Sequence, residues 1–244
     1  MSPYLAEFLG SLILLLLGDG VVANVVLAQT KGHNSGWIVI TAGWGLAVAV
    51  AVYCTGAISG AHLNPAVTLG LAAIGNFDTA LVPGYLAAQF AGAFAGAVLV
   101  WLTYLPHWRE TPDAGTKLAV FSTAPALRHT PANLIAEILG TAVLVLGVLA
   151  ILSPANLQPN SGFDTGFGPA LVGLLVGSIG LSLGGPTGYA INPARDFGPR
   201  LAHALLPIPG KGGSDWGYAW IPVVGPAMGG VLGAFVFRAF WPAA

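Results

Sequence analysis

The stretch SGAHLNPAVTLG, Ser59 to Gly70, returns in altered form as TGYAINPARDFG, Thr187 to Gly198. Each carries an Asn-Pro-Ala triplet inside an apolar neighbourhood. Asn is a preferred helix N-cap and Pro is favoured at the first helical position, so the triplet reads as the start of a helix. The apolar runs that begin at the triplets are short, extending to Gly75 and to about Ala204. At 1.5 Å rise per residue each reaches roughly 16–18 Å, about half a bilayer. They are predicted to be re-entrant half-helices.

The surrounding composition demands a membrane. Of 244 residues 55% are hydrophobic and 7% are charged, against roughly 25% charged in soluble domains. A net charge of −1 argues against a nucleic-acid partner. The lone cysteine, Cys54, excludes an intramolecular disulfide and a cysteine metal cluster. Met1 to Glu7 holds no Lys or Arg and the apolar run continues to Ala28, which favours a retained transmembrane helix over a cleaved leader. A single domain over 1–244, with no separate regulatory domain, is the expectation.

Six segments approach the length of a spanning helix: 4–28, 37–58, 82–105, 132–153, 166–185 and 217–241. They are continuous apolar runs, unlike the alternating strands of a barrel. The longest connection, 106–131, holds Arg109, Glu110, Asp113, Lys117 and Arg128. AEFLGS at 6–11 returns as AEILGT at 136–141, and Gly60, Asn64, Pro65, Ala66 and Gly70 return as Gly188, Asn192, Pro193, Ala194 and Gly198. The chain therefore reads as two repeats, about 1–115 and 116–244. Three spans per repeat put the second half in the membrane upside down relative to the first. The expected fold is an all-α membrane protein, six transmembrane helices plus two re-entrant half-helices in an inverted 3+3 repeat. Such folds place their working site near the midplane at the repeat interface.

Two half-helices entering from opposite faces bring their N-termini together, each with about half a positive charge. That waist offers donors to an uncharged solute and repels cations. The residues before the triplets, Gly60, Ala61, His62, Leu63 and Gly188 to Ile191 (with Ala190), read as extended backbone. Their carbonyls are tolerable at this depth only along a water-filled cavity, where they form a row of acceptors.

The residues AEFLG, SGAHLNPAVT, AEILGT and GYAINPARDFGP resemble those of the major intrinsic protein family, the aquaporins and glycerol facilitators, along essentially the whole chain. The resemblance implies a homotetramer with one pore per protomer, in the cell membrane, with cytoplasmic N- and C-termini. The charges point the other way: that orientation leaves Lys31, Arg109, Lys117, Arg128 and Lys211 outside and only Arg238 clearly inside.

By the same resemblance Arg195 lines the narrowest constriction; an ion pair with Asp196 is the structural alternative. Trp44 matches the position where glycerol facilitators carry Trp, Gly180 the position where water-selective members carry His, and Tyr189 a position where glycerol facilitators commonly carry Phe. The set Trp44, Gly180, Tyr189 and Arg195 resembles a polyol filter, with Tyr189 as the departure. The glutamates Glu7 and Glu137 would accept hydrogen bonds from the re-entrant loops and brace them. His62 is either pore-lining or structural, and Asp19 is expected to bond backbone or a neighbouring subunit. Trp37, Trp101, Trp108, Trp216, Trp220 and Trp241, near span ends, read as interface or packing residues. Neither a cofactor nor a metal is expected.

The function so implied is passive conduction of glycerol and related small uncharged solutes, with some water, while protons and ions are excluded. A water-preferring aquaporin and a coupled secondary transporter are the alternatives. An intramembrane enzyme would need a nucleophile motif around Ser59 and His62, and none surrounds them.

Overall fold

A computed structural model describes residues 1–158 and 161–241. Among these the chain is entirely helical, without strands: α1 (Pro3–Val26), α2 (Trp37–Ser59), α3 (Pro65–Ala73), α4 (Val82–Thr103), α5 (His107–Glu110), α6 (Ala114–Phe121), α7 (Thr130–Ile151), α8 (Phe163–Gly166), α9 (Gly168–Leu183), α10 (Pro193–Leu205) and α11 (Ile221–Phe240). Five helices are long and apolar enough to cross a membrane: α1, α2, α4 with the turn before it, α7 and α11. The expected fifth span is shorter than 166–185. α9 has 16 residues, about 24 Å. Gly168 and Pro169 set its start, and the Gly184-Gly185-Pro186 run stops it.

The helices pack in corresponding pairs. α1 lies along α4 and α2, as α7 lies along α11 and α9. The half-helices cross between the halves: α3 packs on α11, whereas α10 packs on α4. Close approach is made by the small residues that recur four apart. A Cβ on Gly96 of α4 would stand 2.6 Å from the Leu12 carbonyl oxygen of α1. Gly92, Gly173, Gly225 and Gly229 meet a neighbouring helix just as tightly. Such contacts substitute for a water-driven hydrophobic term in lipid.

Burial is inverted relative to a soluble protein. Ile38, Leu46, Leu174 and Phe240 are exposed on outer faces, while Glu7, Gln89, Glu137, Asp196 and Arg200 are buried. The connection 106–131 is anchored inward. Asp113 caps α6 by accepting from Thr116 N at 2.6 Å and Thr116 Oγ1 at 2.8 Å, which holds its carboxyl below the usual carboxylate range. Further on, Thr123 donates to Asp196 of α10 through its amide at 2.8 Å and its hydroxyl at 2.7 Å. This segment therefore helps to set the position of the second half-helix.

Candidate functional site: the cavity where the half-helices meet

Asn64 and Asn192 cap α3 and α10. Asn64 Oδ1 accepts from Ala66 N at 2.8 Å, and Asn192 Oδ1 accepts from Ala194 N at 3.0 Å and Arg195 N at 3.2 Å. Pro65 and Pro193 are the first helical residues. The caps are also cross-tied. Asn64 Nδ2 donates to the Ile191 carbonyl at 2.8 Å, and Asn192 Nδ2 donates to the Leu63 carbonyl at 2.9 Å. Each amide has a second N–H, and both asparagines line a cavity of about 710 Å³.

The approaches to the caps are not extended. Gly60, Ala61 and Leu63 have φ of 79°, 47° and 52°, and Gly188, Tyr189 and Ile191 have φ of 79°, 40° and 43°. Non-glycine residues there are strained, most of all β-branched Ile191. Two buried carboxylates hold this backbone. Glu7 accepts from His62 N at 3.0 Å, Leu63 N at 2.7 Å, Ser59 Oγ at 2.6 Å and Gln89 Nε2 at 2.8 Å. Glu137 accepts from Ala190 N at 3.0 Å and Ile191 N at 2.9 Å. Amides that point at a carboxylate leave their carbonyls to the other side. Those of Gly60, Ala61, His62, Tyr189 and Ala190 accept no hydrogen bond from another group among the described residues.

Gly60, Ala61, His62, Leu63, Tyr189, Ala190, Ile191, Asn192, Trp44 and Arg195 line the cavity; Gly180 and Gly188 do not. The guanidinium of Arg195 stands 4.2 Å above the Trp44 ring, a cation–π contact worth about 2 kcal/mol or more when desolvated. Gly180 acts through its neighbour. A Cβ there would meet Tyr189 Cζ at 2.6 Å, so the tyrosine ring fills the place a side chain would take. Trp37 meets that ring edge-on at 5.8 Å and donates from Nε1 to the Gly180 carbonyl at 3.0 Å. It thus packs against the site, one of the two roles expected of it, while remaining partly exposed.

Other residues find different partners from those expected. Asp196 pairs with Arg200 at 2.8 Å, not with Arg195. Arg200 also donates to the carbonyls of Ser214 at 2.8 Å and Thr123 at 2.9 Å. The four-residue spacing of Asp196 and Arg200 on a helix was the available sequence signal. Asp19 faces Arg195, with 3.8 Å between Oδ1 and Nη1, and neither carboxylate oxygen has a hydrogen-bond partner among the described residues. His62 lines the cavity and also has structural contacts: Nδ1 lies 3.0 Å from Thr68 Oγ1, and the ring meets Phe77 at 4.6 Å. Ser59 donates to Glu7, so it does not form a nucleophile pair with His62.

A capped pair of half-helices around an apolar cavity with one stacked guanidinium defines a class of integral membrane channel. The chain belongs to the major intrinsic protein family, whose family model matches residues 1–237. It is 66% identical over 238 residues to the probable glycerol uptake facilitator protein of Thermotoga maritima, covering 98% of this chain and 99% of that one. It is 54% identical over 239 residues to the glycerol uptake facilitator protein of Bacillus subtilis, covering 98% and 85%. Among solved structures it resembles the aquaglyceroporin from Plasmodium falciparum, with a TM-score of 0.86, 30% identity, and coverage of 97% and 95%. The chain has the aquaporin-like fold, and it is not an enzyme.

Proposed function

We propose that the chain is a passive channel for glycerol and related small uncharged solutes, with some water, and that it excludes protons and ions. The observation that carries this is the Arg195 guanidinium 4.2 Å over the Trp44 ring, in a cavity that Tyr189 also lines. Two aromatic faces offer an apolar surface to a carbon backbone, while the planar guanidinium fork offers donors to hydroxyls. Gly180 leaves its place to the Tyr189 ring, so the four residues form the selectivity filter as a set.

Below that ring a solute exchanges water for the free carbonyls of Gly60 to His62 and of Tyr189 and Ala190. It then passes the second N–H of Asn64 and Asn192. A polyol keeps its hydrogen bonds throughout, so it passes down its own gradient without a coupled ion gradient or a conformational cycle. A cation meets the positive ends of α3 and α10 and loses its hydration. Glu7 and Glu137 keep the carbonyl row aimed inward by binding the opposing amides.

The same reading assigns one channel domain of two repeats, about 1–115 and 116–244. It assigns a homotetramer in the lipid bilayer, with both termini cytoplasmic. Stopped-flow light scattering on proteoliposomes tests the function. Glycerol flux is expected to be non-saturating and indifferent to proton and sodium gradients. Saturation or gradient-driven accumulation would replace the channel with a coupled transporter. Water flux without glycerol flux would replace it with a water-preferring pore.

A further inference from the structure

A buried acid stands behind the arginine of the constriction. Asp19 is wholly buried in α1, and neither of its carboxylate oxygens accepts a hydrogen bond among the described residues. Arg195 Nη1, 3.8 Å from Asp19 Oδ1, has no hydrogen-bond partner either. The neighbouring residue, Gly18, packs against the Trp44 ring so closely that a Cβ would overlap it. One turn of α1 thus backs both members of the Arg195–Trp44 stack. The nearby acid Asp196 is engaged by Arg200 and Thr123, which leaves Asp19 to answer the charge of Arg195. Arg195 lines the cavity, and Asp19 does not.

We infer that Asp19 is the counter-ion of Arg195, a positioning residue that holds the guanidinium over Trp44 and cancels its charge at the constriction. The inference rests on the reading of Arg195 as part of the filter. A lone carboxylate at this depth is costly unless a charge answers it. The 3.8 Å separation is a charge contact rather than a hydrogen bond. It stabilises the guanidinium from the side of the buried Nη1, while Nε and Nη2, unbonded among the described residues, remain free for solute hydroxyls. The ring then carries no net charge. Cation exclusion falls to the half-helix ends and to dehydration, and Arg195 also screens Asp19 from the pore.

Removing the arginine should therefore expose a titratable group. Unpaired, Asp19 either stays ionised and attracts hydronium or takes a proton and relays it. Asparagine does neither. Proton leak after a pH step is read in proteoliposomes holding a pH dye, with the amount of protein incorporated and the thermal unfolding midpoint of the detergent-solubilised protein as the controls for folding. Arg195→Val should raise the leak about tenfold, a barrier change of about 1.4 kcal/mol. Adding Asp19→Asn or Asp19→Ala should remove most of that rise, whereas Asp19→Glu should keep it.

A double variant with Asp19→Asn that leaks like Arg195→Val overturns the counter-ion assignment and leaves the filter standing. No leak in Arg195→Val at normal incorporation, with glycerol selectivity unchanged, overturns the filter reading and with it this inference. If neither neutral variant inserts beside Arg195→Val, the acid is needed for folding independently of the arginine, and the counter-ion role falls.

Discussion

Residues 60–64 and 188–192 follow one backbone path through different chemistry. Both enter left-handed φ at three matching positions, and both end on an asparagine cap. Beyond the caps they diverge. Val67, Thr68 and Ala72 in α3 stand where α10 carries Arg195, Asp196 and Arg200. Thr68 is bonded by His62 and Gln89, neutral partners, while Asp196 is part of an ion pair buried to 0% exposure. The duplicated frame supplies carbonyls and helix ends twice. The cavity-lining guanidinium is supplied once, on the copy anchored to the long connection through Thr123.

The braces test whether the frames are equivalent. Glu7 accepts from two backbone amides plus Ser59 and Gln89, whereas Glu137 accepts from two backbone amides and has the Thr187 hydroxyl as a further side-chain neighbour. Each buried donor left unpaired costs about 1–3 kcal/mol. Glu7→Leu should therefore lower the thermal unfolding midpoint of the detergent-solubilised protein more than Glu137→Leu. Gln at either position should fall between, since it keeps one acceptor oxygen where the glutamate uses two. Equal losses for the two leucine variants would mean that the side-chain bonds of Glu7 add nothing and that the frames are energetically the same.

A smaller effect should follow from crowding the second frame alone. Trp37 stands against one side of the Tyr189 ring, and Gly180 lies under its phenol end. Overpacking of this kind costs typically 1–3 kcal/mol when neighbours are stiff. In Gly180→Ala the ring must shift toward Trp44 and Arg195, so glycerol permeability should fall about tenfold while water permeability falls less. The two are measured on the same proteoliposomes. Equal reductions would remove Gly180 and Tyr189 from the filter and leave the two halves functionally alike.

Local patterns made most of this frame legible. The Asn-Pro-Ala caps, the repeated glutamates and five of the six spans follow from short-range signals: capping preference, apolar run length and repetition. Sequence read the approaches as extended because nothing in Ala61, Leu63 or Ile191 announces left-handed backbone. Glu7 and Glu137 hold it from distant helices by binding the loop amides. Asp19 and Arg195 lie on helices far apart in the chain, so their opposition is a product of packing. Sequence leaves Trp37, which opens α2, as an interface or a packing residue, and the Gly180 carbonyl across the α2–α9 contact shows the packing use.

The finest distinction between the frames is one oxygen. Tyr189 stands where the first half has Ala61, and its hydroxyl is buried without a hydrogen-bond partner among the described residues. A buried hydroxyl left unpaired carries a desolvation penalty of about 1–3 kcal/mol, so Tyr189→Phe should be neutral or slightly stabilising in thermal unfolding. The ring, which fills the space above Gly180 and meets Trp37, is retained. If the hydroxyl only narrows the constriction, glycerol flux in Tyr189→Phe is kept or raised, and water flux changes with it. That is the expected outcome, because the donors for solute hydroxyls are already supplied by the guanidinium of Arg195. A selective fall in glycerol flux with water flux unchanged would show that the phenol oxygen itself binds the passing polyol. The aromatic corner would then be a polar one on the Tyr189 side, and the second frame would carry hydrogen-bonding side chains at Tyr189 and Arg195 where the first has Ala61 and Val67.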